Sequence, residues 1–313
     1  MKLAPEYEFP QEIRQKIKKA KVLEYLTIFF MLTIIVVMYL TMGSSQAMKT
    51  AWIEDLLGLI PPIVFLIAVH NQDKRPTKRF PYGYFQISTI AFVAASAALS
   101  LMGLYILYDS IMKLMEGAHP SIGLISLFGH SIWLGWVMIA ALVYSAIPPV
   151  ILGHLKIGIA KDIHEKTLHA GADMNRADWM TAVAAVIGIL GIGLGYWWAD
   201  SIAAGVISID VIHDGFKNLK GAMSKLMDER PGRIGSNERS PFIDNALSTI
   251  RNLDWVREAD VRFREEGPLI SGEVFVVPAN YNNPQEKKAQ ISHLLKKMNW
   301  RSYNIVISLD DRI

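Results

Sequence analysis

Six stretches of the chain are almost continuously apolar, at roughly 22–42, 52–69, 87–107, 132–152, 179–198 and 202–216, and polar sequence separates them. A helix needs about 20 predominantly apolar residues to cross about 30 Å of hydrocarbon, so the pattern predicts six membrane helices, with the ends of the last two least sharply marked. Lys16, Lys18, Lys19 and Lys21 precede the first span. The apolar run after them is too long for the core of a cleavable signal, so the first span is expected to be retained. After Gly221 the pattern changes. The stretch Met227-Asp-Glu-Arg-Pro-Gly-Arg-Ile-Gly-Ser-Asn-Glu-Arg-Ser240 is polar and punctuated by Pro and Gly, as linkers are. Beyond it, 241–252 places Phe242, Ile243, Leu247 and Ile250 at helical spacing, 255–263 and 269–277 alternate as strands, 284–298 is an amphipathic helix, and 303–309 is a closing strand. Helix–strand–strand–helix–strand is a ferredoxin-like α+β order.

The expected fold class is therefore a mostly α membrane protein, with a six-helix transmembrane domain and a C-terminal ferredoxin-like α+β cytoplasmic domain. Its parts are a cytoplasmic N-terminal segment (1–21), the transmembrane domain (22–221), a linker (222–240) and the cytoplasmic domain (241–313).

Composition agrees with this assignment: over 313 residues 51% are hydrophobic and only 19% charged, and the mean hydropathy is +0.25. Basic residues fix the orientation. Lys74, Arg75, Lys78 and Arg79 lie between spans two and three, and Lys156, Lys161 and Lys166 follow span four, whereas the alternate loops carry little more than Lys49 and Lys113. Both termini are expected on the cytoplasmic side of an inner or plasma membrane. A net charge of +3 is too small to argue for nucleic acid. With no cysteine, disulfides and thiolate metal ligands are excluded.

Ionisable residues at the mouths of apolar spans are costly and mark ion or substrate paths by default. Asp178 enters span five, and Glu54 and Asp55 enter span two.

The order of several motifs resembles the cation diffusion facilitator family, in a divergent form. They are Arg79-Phe-Pro-Tyr-Gly-Tyr84 between spans two and three, Leu168-His-Ala-Gly-Ala-Asp-Met-Asn-Arg-Ala-Asp-Trp179 leading span five, Trp197-Trp-Ala-Asp-Ser-Ile-Ala-Ala204 leading span six, and Leu226-Met-Asp-Glu-Arg-Pro231. The resemblance implies a homodimeric exporter that exchanges divalent cations of the Zn, Mn or Mg class for protons by alternating access, with no cofactor; an enzyme is not expected, since the sequence offers no nucleophile–base pair or nucleotide loop. It also implies a tetrahedral site built from Asp-x-x-(His/Asp)-x-x-x-Asp on span two and Asp-x-x-His-x-x-x-Asp on span five. Asp178 falls on the last aspartate, 22 residues before Asp200, which puts Met174 and Gly171 on the two preceding ligand positions. On span two, Asp55 falls on the leading aspartate, Gly58 and Pro62 on the ligands. Phe80 and Tyr84 stand where the loop's second site would have histidine.

The residues present suggest a different site. Glu54, Asp55 and Asp178 lie on helices of opposite direction and can meet at similar depth, about a turn outward of the family site. His169 and Asp173, four apart, share a face nearer the cytoplasm. Carboxylates and water, with at most one imidazole and the Met174 thioether nearby, suit hard cations such as Mg²⁺ or Mn²⁺ better than Zn²⁺. Ile60–Pro62 and Ile147–Pro149 place proline pairs inside spans two and four. Proline frees carbonyls, which are oxygen ligands, so those near Leu57 and Gly58 stand in for missing side chains, or else the prolines only bend the helices.

The structural alternatives are simple. Glu54 and Asp55 cap span two, Asp178 pairs with Arg176 or Lys166, Asp200 caps span six, Asp210 and Asp214 end it in solvent, and His70, His130, His154 and His169 are structural. A second functional class, a transport-inactive relative serving as a membrane-anchored scaffold, stays open. Lipid and a second copy of the chain are the remaining expected partners.

Overall fold

The structure is a computed structural model. It describes residues 3–312 apart from 73, 118, 119, 121, 128, 129 and 235–237, so part of the predicted linker lies outside the described residues. The apolar windows become helices that extend well past their apolar stretches: α1 (Gln11–Thr41), α2 (Gln46–Leu57), α3 (Ile60–Gln72), α4 (Ile87–Met115), α5 (Leu134–Asp162), α6 (Lys166–Gly193) and α7 (Ala199–Leu226). A hairpin of β1 (Leu124–Leu127) and β2 (His130–Trp133) joins α4 to α5.

A helix closes its backbone hydrogen bonds within itself and continues through polar sequence until a breaker stops it. For α1 the limits are Pro10, which has no N–H to give, and Gly43, whose φ of +50° no helical residue adopts. Lys156, assigned from sequence to a loop, therefore sits inside α5, and Asp178, read as lying at a span mouth, sits in mid-helix.

Span two is two helices in line. Pro61 and Pro62 occupy the first turn of α3, where missing N–H groups are tolerated. They leave the carbonyls of Leu57 and Gly58 without a helical donor, and the chain turns there. The proline pair of span four, Pro148 and Pro149, lies instead inside the unbroken α5.

Five of these elements are long and apolar enough to cross a membrane, counting Gln46–Gln72 as one. The sixth expected span, α7, is 28 residues long but carries Asp200, Asp210, Asp214, Lys217, Lys220 and Lys225, which lower its hydropathy. It nonetheless packs along one side on α4, α6 and α2, while Ile202, Val206, Ile209 and Phe216 stay exposed. Small residues permit this. A Cβ on Gly215 would come within 2.8 Å of the Ser100 backbone N, and one on Gly188 within 2.7 Å of Ala203. Gly195, seven residues after Gly188, instead turns the chain with φ +91°. Ile34, Met38, Met48, Leu142, Ile189 and Ile207 form the interior of the bundle.

The C-terminal domain follows the predicted order: α8 (Pro241–Arg251), β3 (Val256–Glu266), β4 (Leu269–Pro278), α9 (Pro284–Met298) and β5 (Ser302–Leu309). The sheet order is β3-β4-β5, with β3 and β4 antiparallel through a turn at Gly267 (φ +59°) and β4 and β5 parallel. Phe242, Ile250, Val274, Ile291 and Leu295 join both helices to the sheet. This domain is docked onto one end of the bundle. Tyr303 donates to the Pro5 carbonyl at 2.6 Å, Tyr7 donates to the Trp300 carbonyl, and Glu265 accepts from both Lys166 (2.6 Å) and Arg301 (2.8 Å). That end is called the domain face below, and the other the far face.

Candidate cation site

Three helices place small patches around one cavity inside the bundle. Helix α2 contributes Ala51, Glu54 and Asp55, α6 contributes Asp178, Thr181 and Ala182, and α5 contributes Leu142 and Ser145. Each set has i, i+3, i+4 spacing or part of it, which is the spacing of one helical face. The cavity holds about 10 Å³, close to the space for a single water centre or bare ion. Thr181 donates to Glu54 Oε1 at 3.2 Å. Glu54 Oε2 and Asp55 Oδ2 are shut off from solvent with no hydrogen-bond partner. An orphaned buried oxygen is costly, and here two stand beside a third carboxylate with no side-chain donor to satisfy them.

The carboxylates wall the cavity without closing on a point. Among the described residues, no three His, Asp or Glu side chains stand together at metal-binding distance. The capping alternative for Glu54 and Asp55 is excluded, because they lie in the third turn of α2. Its N-terminus is capped instead by Ser45 and by Asp200. Fully buried at the start of α7, Asp200 accepts from Ser45 Oγ at 2.7 Å and from the Gln46 and Ala47 amides. Asp200 therefore caps span two, not span six.

His169 and Asp173 do not join this cavity. They line a wider one of about 650 Å³ on the domain face, with Met174, Arg176, Asp214 and Lys217. There Asp173 pairs with Lys217 at 3.7 Å, and Met174 Sδ takes a weak contact from Asn218 at 3.9 Å. Asp214 thus faces the cavity while contacting His213 at 3.5 Å, rather than simply ending a solvated helix. Gly171 is pressed against span two: a Cβ there would lie 2.9 Å from Pro61 Cβ. Gly58 faces Met31 of α1 and is not part of the carboxylate cavity. In the loop after α3, the Phe80 and Tyr84 rings pack at 5.0 Å, tilted by 47°, and the Arg79 guanidinium lies over Phe80.

A second polar group inside the bundle was not legible as a site. Lys156 is 1% exposed and reaches Glu24 and Thr27 of α1, each at 3.2 Å. With its amide oriented to satisfy both neighbours, Asn175 supplies a third acceptor at 3.1 Å and donates to the Gly171 carbonyl. The ammonium has a partner for each of its three protons. Glu24, an acid inside the first apolar window, was the signal in the sequence.

A family model for the cation efflux transmembrane domain matches residues 22–227. The chain belongs to the cation diffusion facilitator family. It is similar to the magnetosome protein MamB of Magnetospirillum gryphiswaldense (26% identical over 60% of this chain and 59% of that protein). It is also similar to the manganese efflux system protein MneS of Bacillus subtilis, 22% identical over 59% of each chain. A cadmium, cobalt and zinc/H(+)-K(+) antiporter of Bacillus velezensis is 28% identical over 58% of this chain and 53% of its own length. The match thus spans little more than half of these relatives. The family is one of transporters, and its membership agrees with the helical, membrane-spanning character of the first two-thirds of the chain.

Proposed function

We propose that the chain is a secondary transporter that moves divalent metal cations out of the cytoplasm, with Glu54, Asp55 and Asp178 as its cation site. The observation that carries this reading is the meeting of three carboxylates from α2 and α6 at one enclosed cavity in a member of a cation efflux family. Relatives named for manganese efflux and for cadmium, cobalt and zinc antiport support a divalent cargo. A carboxylate must shed its proton to bind a metal, so filling and emptying such a site exchanges metal for protons. Alternating access follows if the wide cavity on the domain face, with His169 and Asp173 in its wall, is the inward entrance and Asp200 with Ser45 closes the far face. In this reading α7 is the sixth span, the C-terminal domain is a ferredoxin-like dimerisation module, and both termini lie in the cytoplasm of a plasma or inner membrane.

The oxygen-only cavity favours hard cations, Mn²⁺ or Mg²⁺, over Zn²⁺. A transport-inactive scaffold is favoured by one fact, the absence of a closed ligand cluster among the described residues. Uptake of a panel of divalent ions into proteoliposomes under an imposed pH gradient separates the two. Gradient-dependent uptake of Mn²⁺ or Mg²⁺ is expected, and no uptake of any ion would leave the scaffold reading standing.

A further inference from the structure

Span four has no place in the cation site by sequence pattern, yet α5 supplies Leu142 and Ser145 to the wall of the carboxylate cavity. Four residues after Ser145 stands Pro149, which is buried and lies inside the unbroken helix. An α-helical carbonyl is met by the amide of the residue four positions on, and proline has none. The Ser145 carbonyl therefore has no helical donor at a point where its residue borders Glu54, Asp55 and Asp178. The Ser145 hydroxyl is already committed to the Leu142 carbonyl at 2.9 Å. What the residue has left to offer is the carbonyl oxygen.

We propose that the Ser145 carbonyl, freed by Pro149, is a cation ligand from span four, so that the site is completed by three helices and takes a hard, oxygen-coordinated divalent cation of the Mn²⁺ or Mg²⁺ class. The inference rests on the reading of Glu54, Asp55 and Asp178 as the cation site. A neutral oxygen added to three carboxylates raises the ligand number without adding charge, and together with water it approaches the six oxygens that hard cations take. Thr181, whose hydroxyl holds Glu54 Oε1, is a positioning residue in this arrangement. The neighbouring proline supplies an internal comparison. Pro148 frees the carbonyl of Tyr144, whose hydroxyl is bonded to Thr33 of α1 at 2.7 Å and which lies outside the carboxylate cavity. Both prolines lie inside the helix, but only Pro149 frees the carbonyl of a residue that lines the carboxylate cavity.

The test is competition between Mn²⁺ and Zn²⁺ for transport by the full-length protein in proteoliposomes, comparing Pro149→Ala, Pro149→Gly and Pro148→Ala, with folding followed by size-exclusion elution and helix content. Restoring the amide at position 149 is expected to weaken the apparent Mn²⁺ affinity by about tenfold, the scale on which lost support around a metal acts, and to change Zn²⁺ less. Pro148→Ala is expected to match the wild type. Equal losses for Pro148→Ala and Pro149→Ala would make both prolines mechanical, and an unchanged Mn²⁺ affinity in folded Pro149→Ala would remove the carbonyl from the site. If neither Pro149 variant folds while Pro148→Ala does, Pro149 is a structural residue and the proposal falls. Asp178→Asn keeps the two levels apart: if it transports normally, the three-carboxylate reading fails, whereas its loss beside an intact Pro149→Ala rejects only the carbonyl ligand.

Discussion

Asp178 stands twelve residues into α6, about 18 Å along the axis from Lys166. Its cost is therefore that of a carboxylate within the bundle, more than sequence alone suggested. Glu54, Asp55 and Asp178 were legible as a group because acids beside apolar runs are conspicuous. Lys156 was not, because the same apolar statistics counted it as a loop cation that sets topology, and only the continuation of α5 to Asp162 buries it. The Lys156–Glu24 pair predicts a specific pattern of stability. Lys156→Met strands a buried carboxylate and is expected to cost about 3–5 kcal/mol, whereas adding Glu24→Leu should recover most of that loss. Thermal unfolding in detergent measures both, and a double variant no more stable than the single one would contradict a paired role. Met174 tests the choice of ligand chemistry. It precedes Asp178 by one helical turn, so Met174→His creates the His-x-x-x-Asp pair that tetrahedral zinc favours. Zinc affinity is expected to rise relative to Mn²⁺ in calorimetric titration. Strong zinc binding by the unmodified protein that is lost in His169→Ala would show instead that His169 and Asp173 are the ligands.

At the scale of elements, the proline pairs were visible in the sequence, but their different outcomes were not. Pro61 and Pro62 begin a new helix after a turn at Gly58 and Leu59, where Gly58 keeps an ordinary helical φ of −61°. Pro148 and Pro149 follow a run without glycine back to Gly135, and α5 stays whole. The contact of Pro61 with Gly171 also gives a physical reason for glycine where the family places an acid, since any side chain would push α3 from α6. The turn from α5 to α6 carries a pH-sensitive group. His164, at φ +53°, has a buried Nδ1 without a partner, and burial, with the Arg301 charge next, pushes its imidazole down to about 4. Lys166, Glu265 and Asp162 are the other charges acting on it. A released imidazole titrates near 6.5, so His164 supports the docked domain fully above that pH, and its contribution is lost as pH falls from 6.5 toward 4. Spin-label distances between bundle and domain are expected to lengthen over that window, and to do so less in His164→Gln. An identical profile in the variant would assign the change to other groups.

For the molecule as a whole, the long apolar helices and the element order after Pro241 came directly from apolar periodicity, while the break in span two, the polar character of α7 and the docking of the C-terminal domain did not. That contact depends on isolated residues, Tyr7, Phe85, Trp300 and Tyr303, with no periodic signature. If two copies pair through 241–313, they should do so by packing. The segment contains one histidine, His293, and no cysteine, so dimers of the full-length protein are expected to survive chelators in sedimentation. Chelator-induced dissociation would reveal a bridging metal. The central claim is that the three carboxylates around the bundle cavity hold the transported cation, and calorimetric titration of Mn²⁺ into wild-type protein and Asp178→Asn in detergent tests it most directly. Saturable binding by the wild type, weakened at least about tenfold in a variant that folds normally, is the expected result. Equal Mn²⁺ affinity in the two proteins would contradict it.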